Sequence, residues 1–540
     1  MTGENCSGGS RHSGQRLLYE ACIPALILTL LVNRYGVPIN NNSTALCWVA
    51  YMLALTPFVL RLARRNDNGT QPKAYRPGAD DGAVWGSLLV PISVFATSIG
   101  SAQLYPAMVL SLSMSATFTA YHQWSQLRQS ARYVELSCFI WISWLACTIT
   151  IGYAGKSAFG DTCGAARSIA MLLAASIMQH AWRSEILRSL PRSFTIGEAA
   201  VFAQGLTLVM ADFVLLMSHR LQNGARDFAY WESHMHVLCL EAIVLGLWVS
   251  ATMLARVMAT GVLGKRARRG ILGLAALGSV FGGFGVLVLA LVSFTSHINP
   301  IRWILVTALG SPAHIAVLVY WVALLGVAGC VYALGHGDVS ESTKLMLHIK
   351  RKSYHVLAAL MFVPGLMYAR PLLYMGFAVA VAGFVVVECM RALDLGPCSA
   401  SINAFMRRFI DYRDAGPVVT AHFYLLLGCA LPVWLGGDSV ASLAGVLALG
   451  VADTAASLVG MRLGRVRWPG TTKTVEGTVG FCASLLAAIG TVLWLKGDVG
   501  IGWRWYAAVS VVVGVLEALT EQNDNLVVPL CMFALLRALA

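Results

Sequence analysis

Residues 271–294 read ILGLAALGSVFGGFGVLVLALVSF, a stretch without a single charged or amide side chain. As a helix it is about 36 Å long, at 1.5 Å per residue, which is enough to cross roughly 30 Å of hydrocarbon. It is apolar on every side. An outer-membrane barrel strand would instead alternate apolar and polar residues over about ten positions, so that architecture is excluded. The run from Gly278 to Gly285 has the outline of a dinucleotide loop, but no strand precedes it. It reads as a surface for close helix packing, with Gly283 and Gly285 leaving the room.

Similar stretches recur along the whole chain. Expected spans lie near 17–33, 45–62, 83–103, 104–121, 134–153, 165–183, 197–218, 235–260, 270–294 and 314–334, then near 354–369, 371–391, 418–436, 439–461, 477–496, 503–521 and from 525 to the end. The expected fold is therefore all-α, a polytopic transmembrane bundle of about 15–17 spans. Composition agrees. Of 540 residues 57% are hydrophobic and 12% charged, and the mean hydropathy of +0.68 rules out a water-soluble globule with a polar shell. The opening polar segment runs into an apolar helix that carries Glu20 and has no clear cleavage site, so it reads as a retained helix. Thirteen cysteines stand singly, without CxxC or Cys/His metal spacing, and read as packing residues.

The net charge of +13 does not indicate nucleic acid, because the Lys and Arg residues sit in short loops between spans. The basic loops are Arg61–Arg76, Arg183–Arg192, Gly264–Arg269, Lys344–Lys352, Arg407–Arg413 and Arg462–Lys473. An even number of expected spans separates each pair, which puts all of them on one side, the cytosol by the positive-inside rule. Sequons at Asn41 and Asn42 then fall in a lumenal loop, and the one at Asn68 in a cytosolic loop.

Chemistry divides the chain into a multi-span region over 1–340 and a second membrane domain over 341–540. In the first, the ionisable residues inside spans are chiefly Glu20, Asp212 and Glu241, and His234-x-His236 is half a metal motif without a partner. In the second, polar groups gather at the cytosolic ends of successive spans: His348 to His355, Glu388 with Arg391, Asp411 to Asp414 with His422, Asp453, the loop Trp468 to Thr478, and Glu517 with Glu521 to Asn525. A carboxylate at such a depth is costly unless paired or hydrated, so Asp453 is a functional candidate. It shares a helical face with Ser457 and Gly460, where small residues leave room for a ligand, and its charge suits a metal or phosphate role or a structural pair with an arginine. The Pro469-Gly470-Thr471-Thr472-Lys473-Thr474 loop leads into an apolar helix. Free N–H groups and the positive helix end bind phosphate in that arrangement. It is not a Walker A loop, whose pattern occurs nowhere in the chain.

Four motifs stand in order: Arg351-Lys352-x-x-His355; Asp453-x-x-Ala456-x-x-x-Gly460-x-x-x-Gly464; Pro469-Gly470-Thr471-x-Lys473-Thr474-x-Glu476-Gly477-Thr478; and Glu517-x-x-Thr520-x-x-Asn523-Asp524-Asn525-Leu526-x-x-Pro529. Together, over about residues 345–540, they resemble the polyprenol kinase family of CTP-dependent lipid kinases. The long N-terminal half, with Asp411 to Asp414 and Ala421 to Gly428, is similar to its dolichol-phosphorylating branch. The resemblance implies CTP as donor, dolichol as acceptor, dolichyl phosphate and CDP as products, and a multi-pass protein of the endoplasmic-reticulum membrane with a cytosolic site.

For phosphoryl transfer a divalent metal, Mg²⁺ foremost, is then expected on Asp453 with Glu476 or Asp524. Lys473, Arg351 and Lys352 would neutralise the triphosphate. Gly470, Thr471, Thr472, Thr474, Gly477 and Thr478 would cradle it, and Glu517, Asn523 and Asn525 would read ribose or base. The hydroxyl proton is assigned to His355 or a carboxylate. Two other readings share some of these features. A cytidylyltransferase would attack CTP at the α-phosphate. A transporter or scramblase matches the span count, but the polar groups sit at one membrane face and form no chain across the midplane.

Overall fold

The computed structural model describes residues 82–98, 105–127, 165–223, 228–334, 344–406, 416–437, 439–497 and 500–540, together with residues 75–76 and scattered positions in 22–31 and 137–149. The expected spans at 17–33, 45–62 and 134–153 lie wholly or partly outside the described residues, and so do the three sequons and the Asp411–Asp414 segment.

The fold is all-α, and among the described residues the one extended pairing is an isolated bridge between Arg467 and Thr474. In chain order the helices are α1 (Ala83–Ser98), α2 (Tyr105–Leu127), α3 (Ala165–Ser189), α4 (Ile196–Asn223), α5 (Phe228–Ala259), α6 (Ile271–Ser296), α7 (Pro300–Leu309) and α8 (Pro312–Leu334). They continue with α9 (Lys344–Tyr368), α10 (Arg370–Ala392), α11 (Ser399–Met406), α12 (Thr420–Leu435), α13 (Asp453–Leu463), α14 (Val475–Lys496), α15 (Trp503–Leu519) and α16 (Asp524–Leu539). Among the described residues seven segments are long and apolar enough to cross a membrane: α4, α5, α6, α8, α10, the Val446–Leu463 stretch ending in α13, and α14. α7 and α11 were not expected. Yet the start of α7 is written locally, since Asn299 caps it by accepting from Ile301 N (3.0 Å) and Arg302 N (3.1 Å) and Pro300 occupies its first turn.

Two compact units emerge, one formed by Met1–Leu208 with Leu431–Ala540 and the other by Val209–Ala430. In the first, α16 is the central helix. Its residues from Leu526 to Leu536 are all buried, as a helix apolar all round requires. It packs on α1 and α15, α15 on α14, and α14 on α13.

In the second unit, α5 packs against α6 and α10, and α8 against α9. Pro364 lies inside α9 and has no N–H to offer the carbonyl of Leu360; the Tyr320 hydroxyl of α8 donates to that carbonyl at 3.0 Å. Beside it, Trp321 Nε1 donates to Met361 O at 2.8 Å. The outer faces of α6 and α8 expose Val286, Phe294, Val319 and Val322, a surface suited to hydrocarbon rather than water. The glycine run of α6 does not serve the expected close packing. Among the described residues, nothing stands within 4 Å of a Cβ added at Gly278, Gly282, Gly283 or Gly285, and α6 approaches α5 at Gly246, where such an atom would meet Val288 at 2.8 Å. His234 stacks on Tyr230, and His236 meets the edge of Tyr374.

Candidate active site

The first unit brings together three of the four sequence motifs. Asp453 comes directly after a turn of π-helix, Val446–Ala452, and opens α13 with its side chain buried. Such a turn inserts an extra residue into the helical repeat and rotates the next residues about the helix axis, which is why it recurs at functional positions. The glycines C-terminal to Asp453 admit the neighbouring helix. A Cβ at Gly460 would lie 3.0 Å from Thr474 Oγ1, one at Gly464 2.7 Å from Thr474 Cγ2, and one at Gly477 3.0 Å from Ala456 O. The two backbones therefore meet at the start of α14, and Thr474 and Gly477 fill the space that the sequence pattern leaves for a ligand.

The loop between α13 and α14 folds back on itself. Trp468 N donates to Lys473 O (3.0 Å), Thr471 N to Trp468 O (3.1 Å) and Val475 N to Val466 O (2.8 Å). Gly470 turns it with φ +71°, a conformation that favours glycine. Four side chains of the motif build the loop itself. Both carboxylate oxygens of Glu476 accept from Val466 N, at 3.1 and 3.2 Å. Thr474 caps α14 by accepting from Gly477 N at 3.1 Å. Thr478 Oγ1 accepts from Trp468 Nε1 at 2.9 Å, and Thr471 Oγ1 accepts from Lys473 N at 3.1 Å. Thr472 is exposed at the tip.

This scaffold carries Lys473 inward. Its Nζ donates to the backbone carbonyl of Glu517 (2.7 Å), to the Glu517 carboxylate and to Asp524 Oδ2 (3.4 Å). Burial works against the ammonium, but the charges of Glu517, Asp524 and Asp453 outweigh it and hold Lys473 above the ordinary lysine range. Lys473 stays cationic at neutral pH. Glu517 is buried at the end of α15, and Asp524 opens α16. Between them, Thr520 Oγ1 accepts from Gln522 N (3.2 Å), and Asn523, itself buried, caps α16 by accepting from Asn525 N (3.2 Å).

Other expected residues belong to the second unit. His355 is buried on α9, Lys352 is half-buried near its start, and the Arg351 side chain lies outside the described residues. Glu388 and Arg391 form a two-pronged ion pair at 2.6 and 2.8 Å, and Glu388 Oε1 also accepts from Val419 N at 2.7 Å. That pair ties a loop to α10. Sequence reasoning missed Gln522 as a contact residue and also a capping box at Thr195 and Glu198. Glu198 N donates to Thr195 Oγ1 (3.2 Å) and Thr195 N to Glu198 Oε2 (2.9 Å). The Thr-x-x-Glu spacing was the available signal.

Among the described residues no three His, Cys, Asp or Glu side chains converge to hold a metal ion. Two carboxylates on one ammonium, with the charge of Asp453 also acting on it, nevertheless leave the Lys473 cluster short of positive charge. The donors are hard oxygens of the kind Mg²⁺ takes, and Mg²⁺ is commonly held by one or two carboxylates and the phosphates of a nucleotide rather than by an all-protein cage.

Residues 181–433 match the model of the family described as dolichol kinase. The chain is 30% identical over 371 residues to a dolichol kinase of Mus musculus (65% of this chain, 67% of that one), and 30% identical over 379 residues to one of Homo sapiens (65% and 66%). It is also 30% identical over 392 residues to the dolichol kinase EVAN of Arabidopsis thaliana (68% and 67%). The chain thus spans about two thirds of the length of these relatives. No solved structure matches it. With family members from mammals and a plant aligned at this level, the chain belongs to the dolichol kinase family.

Proposed function

We propose that the chain transfers the γ-phosphate of CTP to the hydroxyl of dolichol, giving dolichyl phosphate and CDP, at the cytosolic face of the endoplasmic-reticulum membrane. The observation that carries this reading is the Lys473 cluster, an inward-facing cation held by Glu517 and Asp524 on a hydrogen-bonded loop at the start of a membrane-length helix. Phosphoryl transfer asks a protein mainly to position two oxygens in line and to neutralise charge, and a cation fixed among carboxylates able to share a metal supports that reading. The dolichol oxygen forms a bond to the γ-phosphorus, the bond from that phosphorus to the bridging oxygen breaks, and CDP leaves with the electron pair. Lys473 neutralises the triphosphate. The hydroxyl proton passes to a carboxylate of the cluster. Asp453 and Asp524, with Glu476 as a further carboxylate, would hold Mg²⁺, which supplies charge neutralisation on the phosphates. Gly470, Thr471, Thr472, Thr474, Gly477 and Thr478 shape the loop that faces the phosphates, and Asn523 and Asn525 face the nucleoside.

The test is the purified chain in detergent with dolichol, Mg²⁺ and each nucleoside triphosphate in turn, using CTP labelled at either the α- or the γ-phosphate. γ-Label in the lipid is expected with CTP. α-Label in the lipid would make the chain a cytidylyltransferase, and no label from either would remove the kinase reading.

A further inference from the structure

The chain ahead of residue 208 carries none of the four motifs, yet a line of close contacts runs from it to the catalytic cluster within the first unit. At its outer end Arg76 and Glu198, both buried, pair at 2.8 and 3.3 Å, and Arg76 Nη2 also donates to Ser193 O at 2.7 Å. With the Thr195 capping box, this pins the first turn of α4. Next, Gly197 in that turn abuts α1. A Cβ at Gly197 would lie 2.0 Å from the carbonyl oxygen of Gly82, and one at Gly86 2.8 Å from the Cα of Gly197. Gln204 Nε2 donates to Gly86 O at 2.9 Å, which locks the crossing. Finally, a Cβ at Gly82, where φ is +67°, would lie 2.5 Å from Gln522 Oε1. Gln522 stands two residues before Asp524, the partner of Lys473.

A second observation fixes the same geometry from the other side. Arg537 Nε, near the end of α16, donates to Ala96 O, near the end of α1, at 3.1 Å. Gly82 and Gln522 precede the starts of these same two helices, so α1 and α16 run parallel and in step. Their matched lengths place the start of α1 beside the start of α16, where Asp524 lies.

We infer that Gly82, Gly197 and Gln522 are positioning residues for phosphoryl transfer: the N-terminal helices act as a brace that sets Asp524 against Lys473. The inference rests on the kinase reading above. Gly197→Ala pushes on Gly82 from α4, whereas Gln522→Ala withdraws the contact from the other end, and neither removes the side chain of Lys473, Asp453 or Asp524. Gly205→Ala, on α4 with nothing among the described residues within 4 Å of the added atom, is the control.

A shift of about 1 Å in a reacting group lowers turnover by up to about 100-fold. The expected result is a kcat at least about tenfold lower in both Gly197→Ala and Gln522→Ala. The KM for dolichol should change by less than about twofold, the Mg²⁺ concentration for half-maximal activity should rise, and Gly205→Ala should match the parent. A purely structural role would lower the yield and melting temperature of purified protein and leave kcat and the Mg²⁺ requirement of the folded fraction unchanged; that result overturns the brace. If the parent chain phosphorylates dolichol and either variant keeps its kcat, the brace alone falls. If the parent chain itself fails with CTP, the kinase reading falls first and takes the brace with it.

Discussion

Lys473 Nζ stands 3.4 Å from Asp524 Oδ2 across 51 residues of chain, with the buried Glu517 carboxylate on the same ammonium. One loop, the end of α15 and the start of α16 are therefore joined by a single side chain. Two consequences differ in kind, one for catalysis and one for stability.

Lys473→Ala is expected to lower kcat with CTP on the order of 100- to 1000-fold, the loss seen when one donor to a developing charge is removed. Arg462→Ala, on the exposed end of α13, should keep near-parent turnover because orientation in the membrane explains its charge. Lys473→Ala also strands the Glu517 carboxylate in a buried position, a loss of about 3–5 kcal/mol for a broken buried pair. Adding Glu517→Gln should restore melting temperature without restoring turnover. If the double variant recovers both, Lys473 serves only to neutralise Glu517.

Asp453→Asn keeps shape and removes charge. Turnover is expected to fall on the order of 100-fold while yield and melting temperature stay near those of the parent. Near-normal specific activity of the purified variant would remove Asp453 from the chemistry. Loss of folded protein alone would make it a packing residue.

The approach of α13 to α14 predicts a contrast between glycines. Gly460→Val must displace Thr474 and is expected to cost about 1–3 kcal/mol by overpacking, with activity lost as the loop shifts. Gly285→Ala, on α6 with nothing among the described residues within 4 Å of the added atom, should be neutral or stabilising by up to about 1 kcal/mol. Equal melting temperatures for the two variants would contradict the close helix contact.

The orientation is testable by labelling. Ser353 and Thr472 are exposed, whereas Gln522 is buried and therefore unsuited to a tag. In sealed microsomes, Ser353→Cys and Thr472→Cys in a background without other reactive cysteines should react with an impermeant thiol reagent at the rate of a cytosolic control. Protection of either, relieved by detergent, would reverse the assignment from the basic loops.

The helical, membrane-spanning character of this chain was legible in residues 271–294 and their counterparts, because a bilayer demands long apolar segments whatever their neighbours are. The loop Pro469–Thr478 and the carboxylates Asp453, Glu517 and Asp524 were legible too, since charge near a membrane span is costly and stands out. What each side chain touches was not. Glu476, Thr474 and Thr478 hold the loop together, Gly460 and Gly464 make room for α14, and Gly278, Gly282, Gly283 and Gly285 of α6 pack against nothing described. Sequence spacing specifies which residues share a helical face but not which helix that face meets. For the same reason Gly82, Gly197 and Gln522, separated by more than 100 residues at each step, came together only in the tertiary structure. Local preferences and hydropathy act over a turn or a span, whereas the contacts that aim Asp524 at Lys473 depend on how α1, α4 and α16 pack.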